Sequence, residues 1–84
     1  MALTAEQVFE CIKQEREFQK QKWGEDRTQS IPGYLLVARK ELEEAEDGWL
    51  KNKSGRHGAM SELVQTAAVI FACLEEHGIL SSLD

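Results

Sequence analysis

Glu41 and Glu44 are three residues apart, a spacing that puts both carboxylates on one face of a helix. On a helical wheel they flank a stripe formed by Leu35, Leu42 and Trp49. Two like charges at the edge of a core repel each other, and a hard divalent cation relieves that repulsion. Mg²⁺ takes oxygen ligands, usually one or two carboxylates together with substrate phosphates. A solvated acidic face has the same spacing, since Glu43, Glu46 and Asp47 stand beside the pair. Glu62 borders a second apolar stripe near Thr66 and Val69, with Gln65 one turn on. If the two helices pack antiparallel, Glu62 approaches Glu41 and Glu44. On its own it also reads as an acid favoured near a helix N-terminus by the macrodipole.

Glu15, Gln19 and Lys22 continue the stripe that Val8, Cys11 and Ile12 begin. An inward face that turns polar lines a cavity, or else the helix projects into solvent beyond residue 14. Trp23, beside Gly24, can stack on a planar base or plug the core. Lys51, Lys53 and Arg56 place three cations within six residues, able to meet phosphates or simply to be solvated.

Three helices must position these groups. Thr4-x-x-Gln7 is a capping-box signal, predicting a helix from Thr4 to about Lys22 that stops at Gly24. Ser30 is a candidate N-cap with Pro32 in the first turn, and Leu35, Ala38, Leu42, Ala45 and Trp49 repeat at amphipathic spacing. That helix is expected to end near Lys53, with residues 52–58 forming a loop by composition. The third helix is expected from about Ala59 to His77, with Gly78 at C′ and Leu80 folding back. Met60, Leu63, Ala67, Ile70 and Leu74 form one stripe, which Val64, Ala68 and Phe71 widen. A helix so broadly apolar is buried on most sides. Three helices of one chain do not surround it, so a second copy is expected to, and Ala67 and Ala68 permit close approach.

The chain has 84 residues, enough for one domain over residues 1–84. A chain of this size buries only about 60% of its unfolded surface and needs a staple. Its two cysteines, Cys11 and Cys73, fall in apolar stripes and read as reduced core residues. The net charge of −5 argues against nucleic-acid binding, which wants a basic face. No apolar run is expected to reach the ~20 residues of a membrane helix. Met1 to Glu10 shows neither the basic start nor the apolar stretch of a signal peptide. The expected location is the cytoplasm.

The run Glu15-Arg16-x-x-Gln19-x-x-Lys22-Trp23-Gly24, then Glu41-x-x-Glu44, then Glu62-Leu63-Val64-Gln65-x-Ala67-Ala68-Val69 resembles the small MazG-like proteins. These belong to the all-α nucleoside triphosphate pyrophosphatases, and the resemblance spans roughly residues 10–78. It implies an all-α fold whose helices pool into homodimers, or tetramers built from dimers. It implies Mg²⁺-dependent (or Mn²⁺-dependent) cleavage of a nucleoside triphosphate between the α- and β-phosphates. The family's metal motif is ExxE followed by ExxD. Glu41, Glu44 and Glu62 match its first three positions and become the expected metal ligands and catalytic carboxylates. Gln65 stands where the larger members have Asp; an amide oxygen coordinates but brings no charge. Glu15, Gln19, Lys22, Trp23, Lys51, Lys53 and Arg56 become candidate substrate contacts. The competing reading is a non-catalytic helical dimer, a nucleotide sensor or protein-interaction module, and Gln65 is the residue that favours it.

Overall fold

The computed structural model describes residues 2–51 and 55–79, with backbone alone at 55–57. Three helices follow in order: α1 (Ala5–Trp23), α2 (Ile31–Leu50) and α3 (Gly55–His77). Local chemistry sets most of their ends. The Thr4 hydroxyl accepts from the Gln7 amide at 3.2 Å while the Thr4 amide donates to Gln7 Oε1 at 2.9 Å. This reciprocal box satisfies two donors that the first turn leaves free. Gly24 takes a φ of 96°, a region costly for any residue with a Cβ, and its amide donates to the Lys20 carbonyl at 2.8 Å. Ser30 Oγ accepts from the Gly33 amide at 3.1 Å and Pro32 occupies the first turn of α2. Gly78, with a φ of 76°, donates its amide to the Leu74 carbonyl at 2.9 Å.

Two boundaries differ from expectation. Helix α2 stops at Leu50, where the Lys51 amide caps Asp47 at 2.9 Å, not near Lys53. The segment expected as a loop over 52–58 is helical from Gly55 onward. Two glycines disfavour a helix there by roughly 1 kcal/mol each, but the first turns of α3 pack against the last turns of α2. Ala59 and Gly48 are both buried, and a Cβ at Gly48 would lie 3.7 Å from the Ala59 nitrogen. Tertiary contact overrides the local preference. Leu80, expected to fold back, lies outside the described residues.

Helix α3 is central: α1 and α2 both pack on it and not on each other among the described residues. The contact seam is built of small residues. Ala45, Ala59, Ala68, Val69 and Ala72 are the buried hydrophobics, and no large described side chain is fully buried. On α2 the expected stripe is only half used. Ala38 and Ala45 face α3, whereas Leu35, Leu42 and Trp49 remain 46–63% exposed. On α3, Met60, Leu63, Ile70, Phe71 and Leu74 remain 41–49% exposed.

One expectation about composition needs correction. The stretch Gly58–His77 is long and apolar enough to cross a membrane by length and composition, because Leu63 to Leu74 contains no charged residue. The central helix of a bundle passes the same test.

Candidate functional site

Helix α2 brings Glu41 and Glu44 onto the flank facing α3, and α3 brings Glu62 to meet them. One carboxylate oxygen from each lies within 4.8 Å of the other two. The antiparallel approach required for this meeting is present. Glu41 and Glu62 are half-buried and Glu44 is exposed. Glu41 Oε2 and Glu62 Oε2 are shielded from solvent without a hydrogen-bond partner. A buried acceptor left unmatched costs about 1–3 kcal/mol, more when charged. Burial raises the Glu62 pKa above the ordinary carboxylate value. The adjoining Glu41 carboxylate raises it further, and Glu44 pulls the other way. The nearby Thr66 hydroxyl is unable to help, because it donates to the Glu62 carbonyl at 2.8 Å. The all-oxygen donor set and its two orphaned oxygens fit a hard divalent cation such as Mg²⁺ or Mn²⁺.

A cavity of about 250 Å³ opens beside this cluster, between all three helices and the α1–α2 connection. Trp23, Arg16, Gln19, Tyr34, Val37 and Val69 are among its walls. Val37 lies one turn before Glu41 on α2 and Val69 two turns after Glu62 on α3, so cavity and carboxylates share one seam. Gln19 is buried at their junction, with Nε2 3.4 Å from both Glu15 Oε2 and the Gln65 carbonyl. Of the polar end of the α1 stripe, Gln19 lines the cavity, and Glu15 is half-buried beside it without reaching the cavity wall. Lys22 does not line the cavity; it is exposed, with Nζ 5.6 Å from the Trp23 ring centroid. Trp23 is not a core plug. It remains 41% exposed and carries a second cation, the Arg27 guanidinium, at 5.4 Å.

Of the remaining expected phosphate contacts, only Lys51 is described with its side chain. Lys51 is exposed, 3.4 Å from Asp47 Oδ1, and does not line the cavity. Lys53 lies outside the described residues, and of Arg56 only the backbone, in the first turn of α3, is described.

Other groups to which the sequence assigned no role enter the site. Arg16 Nε donates to Glu75 Oε1 at 2.9 Å, which fixes the guanidinium plane. Its terminal nitrogens have no protein partner among the described residues. Arg16 lies three residues before Gln19, so the helical spacing carried the signal. Arg27 and Tyr34 gave none, since their placement depends on how the connection folds. That connection is tied to the end of α3. The Gln29 amide donates to both Glu76 oxygens at 3.1 and 3.2 Å. The Tyr34 hydroxyl donates to Glu76 Oε1 at 2.7 Å, and His77 Nε2 lies 2.7 Å from the Gln29 carbonyl. Burial, then the Glu76 hydrogen bond and charge, push the Tyr34 pKa up to about 12.

Comparison with protein-family models, curated proteins and solved structures finds no match for this chain.

Proposed function

We propose that this chain is a Mg²⁺-dependent nucleoside triphosphate pyrophosphohydrolase, cleaving between the α- and β-phosphates to give a nucleoside monophosphate and pyrophosphate. The observation that carries the reading is the convergence of Glu41, Glu44 and Glu62 from two helices, beside a cavity walled by Trp23 and Arg16. The MazG-like pattern of the sequence supports it. Glu41, Glu44 and Glu62 hold the cation, with the Gln65 amide one turn along α3 as a neutral fourth donor. Bound Mg²⁺ or Mn²⁺ supplies charge neutralisation and orientation of the phosphates. One of the three carboxylates also orients the attacking water and takes its proton. The water oxygen bonds to phosphorus as the bond to the oxygen bridging the α- and β-phosphates breaks, which releases the nucleoside monophosphate and pyrophosphate. Trp23 offers a ring face for the base, and the unpartnered nitrogens of Arg16, with Arg27, meet ligand oxygens. Nucleoside triphosphates are cytosolic, and the reading puts the protein there.

A second reading is a helical module that binds nucleotide without cleaving it. Gln65 favours it, because the position lacks the charge of the fuller motif. A screen of nucleoside triphosphates with Mg²⁺ or Mn²⁺, scored by pyrophosphate release, separates the two. Release lost on Glu44→Gln supports the enzyme. Nucleotide binding without release supports the module, and neither removes both.

A further inference from the structure

Gln19 is 3% exposed, and its amide uses only one of its two ends. Nε2 lies 3.4 Å from both Glu15 Oε2 and the Gln65 carbonyl oxygen. Ionised carboxylate and carbonyl oxygens only accept, so these two hold the NH₂ end in place. Turning the amide over would bring three oxygens together with no hydrogen between them. The other end, Oε1, has no partner among the described residues, yet it is not closed off from solvent as Glu41 Oε2 and Glu62 Oε2 are. It opens on the cavity, whose wall includes Gln19. A tie between α1 and α3 accounts for Nε2 and not for this oxygen, since buried acceptors are nearly always matched.

We infer that Gln19 Oε1 accepts a hydrogen bond from an exocyclic amino group of the bound base, and that Glu15 is the residue positioning the amide. The inference rests on the reading of this cavity as a nucleotide site and adds which bases it takes. Amino-bearing bases such as cytosine and adenine are favoured over their oxo counterparts, uracil and hypoxanthine. The surroundings of the Gln19 amide decide this. Its neighbours, the Glu15 carboxylate and the Gln65 carbonyl, are acceptors. A ring N–H, as in uracil, is flanked by carbonyl oxygens, which would be driven against this electronegative corner. An amino group brings hydrogens in their place. An oxo group at the same ring position sets two acceptors face to face. Leaving a buried acceptor unmatched lowers affinity by about tenfold or more. Arg16, which also lines the cavity, keeps its terminal nitrogens for phosphate or sugar oxygens.

The test is calorimetric binding of α,β-methylene nucleoside triphosphates, which lack the bridging oxygen that would be cleaved, to the full chain with Mg²⁺. Cytidine is compared with uridine, and adenosine with inosine; each pair exchanges one amino group for oxygen. The expected result is at least one pair in which the amino-bearing nucleotide binds about tenfold more tightly. Gln19→Leu should bring that ratio close to one. Glu15→Gln, whose own amide lets Gln19 turn over, should narrow it. A loss of stability alone would weaken both members of a pair together and leave the ratio unmoved. The wild-type ratio needs no variant, so the test stands even where Gln19→Leu does not fold. Equal affinities within both pairs, preference for the oxo members, or a ratio that survives Gln19→Leu overturns the inference and leaves the hydrolase reading standing. A ratio untouched by Glu15→Gln overturns the positioning role. If none of the four nucleotides binds, the nucleotide site falls and the inference falls with it.

Discussion

Replacing Glu62 by Gln should stabilise the metal-free protein and weaken the metal-bound one. The oxygens of Glu41, Glu44 and Glu62 lie within 4.8 Å of each other. Two unit charges at that separation repel by about 1 kcal/mol in a water-like dielectric and by about 3 kcal/mol at an effective value of 20. Glu44 is exposed and solvent screens the cluster, so the low figure applies. The amide introduced by Glu62→Gln would also bring an N–H toward the orphaned Glu41 oxygen. A gain of about 1 kcal/mol raises the Tm of a chain this size by roughly 4–8 °C. With Mg²⁺ at a hundred times its Kd, wild type gains about 2.7 kcal/mol and the variant, short of one anionic ligand, gains less. The order of the two melting temperatures therefore inverts between chelator and Mg²⁺. The assay is thermal denaturation followed by circular dichroism at fixed protein concentration and pH 8, well above the ordinary carboxylate range. The pH dependence has a definite sign. A folded-state pKa above the unfolded one means that the folded chain binds the proton more tightly. The stabilisation is complete below the unfolded carboxylate pKa and is lost as pH rises through the raised folded value. Acidification should thus close the gap between metal-free wild type and Glu62→Gln. A variant less stable than wild type in chelator, or an equal Mg²⁺ response in both, would refute the like-charge account.

Gln65→Glu should bind Mg²⁺ more tightly than wild type and Gln65→Leu less tightly, by calorimetric titration; three equal affinities place Gln65 outside the cation's shell. Tyr34 is the chain's one tyrosine, so its ultraviolet titration should report ionisation near 12, moving down in Glu76→Gln. An unchanged midpoint in that variant removes Glu76 as a cause. The Tyr34 hydrogen bond, followed by the Gln29 amide, lowers the Glu76 pKa. The tie it makes to the α1–α2 connection should hold above the unfolded carboxylate pKa and weaken as pH falls through the lower folded value, seen as faster amide exchange at Gln29. Ile70→Glu or Phe71→Glu should abolish helical circular dichroism at micromolar concentration, and a folded soluble monomer would speak against dependence on self-association.

Local signals in the sequence carried the helices and most of their ends. Thr4 with Gln7, Ser30 with Pro32, and the glycines at 24 and 78 act within one turn of themselves, so their effect is readable without a partner. The start of α3 was not readable. Gly55 and Gly58 argue for a loop, and only the packing of Ala59 on Gly48 shows why the helix continues through them. The same division runs through the site. Spacing placed Glu41 and Glu44 on one face and left a solvated surface equally acceptable. Their meeting with Glu62 is a contact between residues 18 to 21 positions apart, fixed by the antiparallel packing of two helices through alanine and glycine.

The sequence by itself determined which residues are apolar, acidic or helix-ending, because those are properties of side chains and short-range hydrogen bonds. It did not determine which apolar residues the protomer buries. Periodicity marked Leu35, Leu42, Trp49, Met60, Leu63 and Ile70 as inward, yet the seam is made by Ala45, Gly48, Ala59, Ala68 and Ala72. An apolar arc wider than one neighbour can cover offers several equivalent faces. Only tertiary structure chooses among them, and here small residues win because they let the α2 and α3 backbones come close, bringing three carboxylates together on one side and leaving the large side chains on the other.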